Sequence, residues 1–247
     1  MLNGKVAVIT GGTRGIGLEI ARKYLQNNAT VIIFGSRQES AKKAHALLCE
    51  EFPNATIGAM APDLGDYSSV QEALTEIKAR YGALDIMVNN AGISASDNLS
   101  EYAPEDFDKI MTLNVNAIFY ASKVAAAIMK EQGGGVILNT SSIVSMYGQP
   151  SGCGYPTSKF AVNGLTQSLA RELGKDNIRV NAVAPGVTET DMMKAVPSEM
   201  MKPILSKISM GRIGKPEEVA DAFVFLASDM ASYITGVVLP VDGSTII

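Results

Sequence analysis

The chain has 247 residues, 47% of them hydrophobic and 19% charged, with a net charge of −4 at neutral pH. That length holds one large domain or two small ones, and the composition is globular, not disordered. No basic block gives the electrostatic footprint of a nucleic-acid binder, no apolar run approaches the roughly 18 residues that span a bilayer, and the opening "MLNGKVAVIT" lacks a signal peptide's charged segment and cleavage site, so no nucleic-acid or membrane partner and a cytoplasmic location are expected.

Residues 5–10, "KVAVIT", form a short apolar, β-branched run that ends in glycines and opens a helical pattern reaching residue 28. "TVIIFGS" (30–36) begins a second such unit, with a helix over 37–52, and residues 55–64 begin a third, with a helix over 67–82. Four more buried-type strands lie in "LDIMVNNAG", "GVILNTSS", "IRVNAVAPG" and "GVVLPVDGS", separated by helices over 104–131, 155–174 and 216–228. Strands alternating with long helices imply βαβ units and a parallel sheet, and continuous apolar strands suit a sheet covered on both faces. No linker or low-complexity stretch divides the chain. The expected fold is α/β: a single doubly wound domain over residues 1–247, with a seven-stranded parallel sheet and helices on both faces.

In such folds the ligand sits beyond the carboxyl ends of the strands. There the chain places "TGGTRGIG", "GSR", "PDL", "NNAG", "TSS" and "APGVTET", all small, polar or glycine-rich. Gly11, Gly15 and Gly17 give the spacing G-x-x-x-G-x-G between a strand and a helix. Glycine permits the tight turn, and the helix N-terminus offers free N–H groups to a pyrophosphate. After the second strand stand Ser36 and Arg37, where a carboxylate would mark NAD. A guanidinium there, helped by Arg14, suits a 2′-phosphate, so the expected cofactor is NADP(H).

Cys49 and Cys153 form no metal spacing or disulfide framework. The one histidine, His45 in "AKKAHALL", reads as a solvated or half-buried helix residue. A Ser-His-Asp triad and a histidine-based zinc site are therefore not expected, and no metal is assigned. Acid–base chemistry must come from other groups. "GYPTSKFAVNG" supplies Tyr155 and Lys159 at i, i+4 spacing, on one face of a helix whose first turn accommodates Pro156.

With "TGGTRGIG", "NNAG", "YPTSK" and "APG" in order, the sequence resembles the short-chain dehydrogenase/reductase family over essentially its whole length. The resemblance implies a Rossmann fold with strand order 3-2-1-4-5-6-7, a nicotinamide cofactor, and conversion between a ketone and a secondary alcohol. It implies catalytic roles for Asn114, Ser142, Tyr155 and Lys159. Cofactor contacts carried over are Gly11, Thr13, Arg14, Gly15, Ile16 and Gly17 in the first turn, Ser36 and Arg37 after strand two, Asp63 and Leu64 at the adenine side, and Asn90, Ala91 and Gly92 in the "NAG" turn. Tyr155, Lys159, Pro185, Gly186, Thr188 and Thr190 complete them; relatives commonly have isoleucine in place of Thr188. On this reading Lys159 and an oxidised nicotinamide lower the pKa of Tyr155, which then exchanges a proton with the substrate oxygen while Ser142 hydrogen-bonds it. Asn114 would hold a water that joins the lysine to solvent.

Two groups resemble the chain best. "GRIGKPEEVA" and "SYITG" are similar to 3-oxoacyl-[acyl-carrier-protein] reductases, which puts a 3-oxoacyl thioester first. "APDL", "GYPTSK" and "VAPGV" are similar to bacterial bile-acid hydroxysteroid dehydrogenases, the alternative; a non-catalytic cofactor-binding regulator is the remote one. Carrier-protein reductases commonly have arginines near Gly133 and Asp176; here Lys130 and Lys175 lie close by. Met146, Tyr147, Gln149 and Cys153 are expected as pocket walls with Ser142. Residues 188–210, including Met192 and Met193, are expected to form a substrate lid. The resemblance also implies a homotetramer, with Ala161, Gly164, Leu165 and Leu169 at one interface and the terminal isoleucines at another.

Overall fold

The computed structural model describes residues 1–95, 97–150, 152–189, 203 and 205–245. Its framework is one parallel sheet of seven strands in the order β3-β2-β1-β4-β5-β6-β7. The strands are β1 (Val6–Thr10), β2 (Thr30–Phe34), β3 (Ile57–Met60), β4 (Ile86–Asn89), β5 (Gly135–Thr140), β6 (Ile178–Pro185) and β7 (Val238–Val241). β1 pairs in parallel with β2 and β4, placing Ala7 beside both Val31 and Ile86. Each strand before the order reversal is joined to the next by a helix: α1 (Gly15–Gln26), α2 (Gln38–Glu51) and α3 (Tyr67–Tyr81).

The period of two along each strand divides the core into two layers. Ala7, Ile9, Val31 and Ile33 face α1, α2 and α8 (Pro216–Ala227), where Ile20, Tyr24, Leu48 and Phe223 are buried. Val6, Val8, Ile32 and Phe34 face the opposite layer, with Val70 and Ile77 of α3 and Met129 of α5 (Ala117–Glu131). That layer also includes Ala170 of α7 (Gly154–Leu173). Strands buried on both faces explain the near-continuous apolar runs of the sequence.

The helix expected over 104–131 is interrupted. α4 (Pro104–Met111) leads into a π-helical turn, Thr112–Asn116, and only then into α5. One extra residue in the turn shifts the hydrogen-bond ladder, and hydrophobic periodicity averaged over a long helix does not resolve it. The interruption carries Asn114. Among the described residues no helix is long and apolar enough to cross a membrane.

Candidate active site

The first turn is shaped by its glycines. Gly11 and Gly15 hold φ of 65° and 53°, the left-handed region. A Cβ on Gly17 would run into the Gly11 carbonyl oxygen and the Asn90 side-chain amide. α1 starts at Gly15 with no side-chain cap and no acidic residue in its first turn, so its leading N–H groups remain available to an anion. The residues fit a dinucleotide: a bare helix N-terminus faces the strand ends and Ile16 opens onto the adjoining cleft.

Asn90 locks this turn to its neighbours. Its Nδ2 donates to the carbonyls of Thr10 and Gly11 at 3.2 and 3.3 Å, and its Oδ1 accepts from Thr140 Oγ1 at 3.2 Å. The backbone N–H groups of Asn90 and Ala91 both donate to Thr10 Oγ1, at 2.9 and 3.0 Å. The first, fourth and fifth strands are thus tied together at their carboxyl ends. Gly92 lies close to Asn114, where a Cβ would stand 3.1 Å from the amide oxygen.

Beyond β2, Ser36 and Arg37 are exposed, as is Arg14 at the start of α1, and among the described residues neither arginine has an ion-pair partner. Thr13 closes against Gly35, whose missing Cβ would stand 2.9 Å from the threonine methyl. Asp63 Oδ1 accepts from the Gly65 N–H at 2.9 Å, fixing the turn after β3, and Leu64 packs onto the apolar layer beside α3.

α7 brings Tyr155 and Lys159 to the cleft. Tyr155 lies in its first turn, and Lys159 Nζ sits 5.7 Å from the phenol ring centroid. Lys159 is only 3% exposed, and its Nζ donates to the Thr140 carbonyl at 2.7 Å. Burial holds its pKa at about 8. For Tyr155 the protein's own groups act against the expected effect of the cofactor charge. Burial raises its pKa above the ordinary value, and the hydrogen bond from Ser142 pulls the other way without prevailing. The reason is geometric: the lysine's short contact is with a backbone carbonyl, while the phenolate loses hydration.

Asn114 is tied to two neighbouring elements. Its amide is engaged on both sides: Oδ1 accepts from Ile93 N at 2.9 Å, and Nδ2 donates to Ile93 O at 2.9 Å and Ser158 Oγ at 3.0 Å. Ser158 Oγ in turn donates to the Tyr155 carbonyl at 2.7 Å. The side chain therefore braces the loop after β4 against α7.

A cleft of about 710 Å³ opens among these groups. Ser142, Tyr155, Lys159, Asn90, Gly92, Pro185, Gly186 and Thr188 line it, with Ile16, Ile93, Ala95, Ile143, Val144, Pro150 and Val187 as apolar walls. Gln149 is a wall as expected, and Lys159 is the one charged side chain among the described lining residues. Met146, Tyr147 and Cys153 are not among its described lining residues. In the single turn of α6 (Val144–Tyr147), Val144 faces the cleft, which rotates Met146 about 200° away. Tyr147 is 63% exposed, and Cys153 is exposed ahead of α7. Thr188 is buried, with its hydroxyl donating back to the Gly186 carbonyl at 3.1 Å. Thr190, Met192 and Met193 lie outside the described residues, as does most of the expected lid. Thr140, Ser158 and Asn163 join the site without having been singled out in the sequence; only their positions relative to Ser142 and Tyr155 hinted at it.

A family model described as "Enoyl-(Acyl carrier protein) reductase" matches residues 11–244. The chain is 59% identical over 244 residues to a 3alpha-hydroxysteroid dehydrogenase of Mediterraneibacter gnavus, covering 99% of this chain and 98% of that protein. It is 38% identical over 250 residues to a 3-oxoacyl-[acyl-carrier-protein] reductase of Thermotoga maritima, covering 100% and 99%. Among solved structures, a 7 alpha-hydroxysteroid dehydrogenase complexed with NADH and 7-oxo glycochenodeoxycholic acid superposes with a TM-score of 0.93 at 31% identity, covering 99% of this chain and 95% of that one. The chain belongs to the short-chain dehydrogenase/reductase family. As a member of that family it is an oxidoreductase acting on CH–OH groups with a nicotinamide cofactor. Its sheet order and cleft position are those the resemblance implies.

Proposed function

We propose that this chain is an NADP(H)-linked hydroxysteroid dehydrogenase, interconverting a steroid ketone and secondary alcohol, with position 3 the first to test. The observation that carries the reading is the 59% identity to the Mediterraneibacter enzyme along 99% of the chain. The cleft supports it: its walls are mostly apolar and uncharged, as a rigid, largely apolar ligand requires. The 3-oxoacyl thioester, placed first on sequence motifs, becomes second. Such a thioester brings phosphates or an acidic carrier and needs free cations nearby; Lys130 pairs with Asp176 at 3.3 Å, which leaves Lys175 as the remaining candidate.

The bound cofactor supplies or accepts the hydride. Tyr155 gives a proton to the ketone oxygen or takes it from the alcohol, and Ser142 hydrogen-bonds that oxygen as charge develops. Lys159, buried and close to its neutral point near pH 8, stands behind the tyrosine and passes protons onward. Arg37 after β2 and Arg14 in the first turn, both exposed, suit a 2′-phosphate, and Ser36 does not repel it. The same reading includes a cytoplasmic homotetramer, for which Phe119 and Phe160, 44% and 49% exposed on α5 and α7, offer apolar contact. The expected tail contact falls on Ile246 and Ile247, outside the described residues.

The test is a substrate panel: 3-oxo and 7-oxo steroids, a 3-oxoacyl-CoA and a 3-oxoacyl-carrier protein, each with NADPH and NADH. Highest kcat/KM on a 3-oxo steroid with NADPH is the expected result. Preference for either thioester returns the first reading, and preference for NADH removes the cofactor assignment.

A further inference from the structure

α7 carries more than Tyr155 and Lys159. One turn beyond the lysine, half-buried Asn163 reaches back to the segment that bears Ser142. Its Oδ1 accepts from Ser141 Oγ at 2.6 Å, and its Nδ2 donates to Ser145 Oγ at 2.8 Å. Ser145 Oγ donates to the Ser142 carbonyl at 2.5 Å. The proton placement is determined by elimination. A backbone carbonyl only accepts, so the Ser145 hydrogen goes to Ser142. Reversing the Asn163 amide would then face its oxygen toward a Ser145 oxygen with no hydrogen to give, so its NH₂ faces Ser145 and its oxygen takes the Ser141 hydrogen at 2.6 Å, nearer than Ser145 Oγ at 3.1 Å.

Ser141 and Ser145 are 2% and 1% exposed, so these bonds lie away from competing water. The Ser142 hydroxyl interacts with Tyr155 and otherwise has a long contact, 3.4 Å from the Val144 N–H, that does not fix it. What places Ser142 is its backbone: main-chain bonds from Ser141 N to Val183 O at 2.7 Å and from Ile143 N to Pro185 O at 3.1 Å flank it, and the side chains of Ser145 below and Ser141 behind add to them. Both of those serines end at one residue of the helix that carries the acid.

We propose that Asn163 is a positioning residue that sets Ser142 against Tyr155 through Ser141 and Ser145. One helix then fixes both groups that meet the reacting oxygen: Tyr155 directly, Ser142 through this three-residue clamp. Lys159, donating to Thr140 just before Ser141, adds a second stitch between α7 and the end of β5. The inference rests on the reading of Ser142 and Tyr155 as the pair that holds the substrate oxygen. It goes beyond that reading by naming what sets their spacing.

Asn163→Leu keeps the side-chain size and removes both bonds; Ser145→Ala breaks the link at the other end. A displacement of about 1 Å at a reacting centre costs up to roughly 100-fold in rate. The expected result is a kcat lowered about tenfold or more in each variant, counted per cofactor-binding site, with cofactor KM unchanged. The double variant should be no worse than the poorer single one, because both changes open the same clamp. A purely structural role would lower stability and leave kcat per binding site at the wild-type value, and that result overturns the proposal. So does full additivity of the two changes. Crystal structures of wild type and variants give a second readout that needs no turnover. Ser142 displaced from Tyr155 in the variants supports the clamp, and Ser142 unmoved overturns it. If wild type turns over no hydroxysteroid, the functional reading fails and the crystallographic comparison still decides the clamp. If Asn163→Leu does not fold, Ser145→Ala carries both readouts.

Discussion

At the first turn the shape comes from what is missing. Gly11 and Gly15 hold left-handed backbone, Gly17 leaves room for a carbonyl, and α1 begins without a capping side chain. Around Tyr155 the shape comes from side chains that reach across the fold: Lys159 to Thr140, Asn114 to Ile93 and Ser158, Asn163 to Ser141 and Ser145. The first region is built mainly by backbone, tied down by Asn90, and spoiled by adding an atom. The second is built by long-range hydrogen bonds and spoiled by losing one. The two ends of one cleft should therefore fail independently.

Tyr155→Phe is the strongest way to separate them. It removes one hydroxyl from the side-chain region and touches nothing in the glycine turn. Ketone reduction should fall about 10²- to 10⁴-fold, the usual worth of a positioned proton donor. Cofactor affinity, read by fluorescence titration, should stay within a few-fold of wild type. Equal loss of both would mean that the two ends are coupled and the comparison is wrong.

The same contrast governs what the sequence revealed. The runs Val6–Thr10 and Thr30–Phe34, the glycine spacing and the i, i+4 pair Tyr155 and Lys159 are local patterns, and each marks the element or turn it occupies. Asn163 to Ser141 spans 22 positions and Asn114 to Ser158 spans 44, with no periodicity to announce either. The π turn at Thr112–Asn116 escaped because one inserted residue leaves composition unchanged. Met146 and Tyr147 were read as walls from their place after Ser142; the turn of α6 rotates Met146 away from the side of Val144, and Tyr147 is exposed. The desolvation of Tyr155 was not legible for a related reason: it depends on packing from many elements, whereas a charge four residues away is visible in the sequence.

Lys159 offers a test of the side-chain region that needs no substrate. Its pKa is about 8 in the folded chain, against 10.5 when solvated. Below pH 8 it is charged in both states, and the folded state bears the full cost of a buried ammonium. Between pH 8 and 10.5 the unfolded chain binds more protons, so stability rises with pH. The difference between 10.5 and about 8 corresponds to at most about 3 kcal/mol. Tyr155 and Tyr24 act oppositely: burial raises both, so stability is lost once unfolded tyrosines ionise above about pH 10. The clean window is pH 8 to 10. Urea denaturation across it should show rising stability in wild type and a flatter profile in Lys159→Met. A flat wild-type profile would mean that the lysine is hydrated in solution.

The smallest expected effect tests whether side chains matter at the glycine end at all. Arg37 is exposed, so its bond to a 2′-phosphate would compete with water and salt. Charge-assisted hydrogen bonds are worth about 1.5–3 kcal/mol at best, and exposure favours the lower figure. Since 1.4 kcal/mol is tenfold, Arg37→Ala should weaken NADPH about tenfold and leave NADH nearly unchanged. Ser36→Asp should go further, because it adds repulsion against the phosphate and offers an acceptor to the free ribose hydroxyls of NADH. Raising salt should shrink the wild-type preference and leave that of Arg37→Ala nearly unaffected. The measurement is kcat and KM for both cofactors in wild type and the two variants. If Arg37→Ala weakens both cofactors equally, the arginine shapes the start of α2, where its carbonyl accepts from Ser40 Oγ at 2.8 Å, and does not read the phosphate. The glycine end would then be a backbone device throughout, and the contrast with the Tyr155 region would be complete.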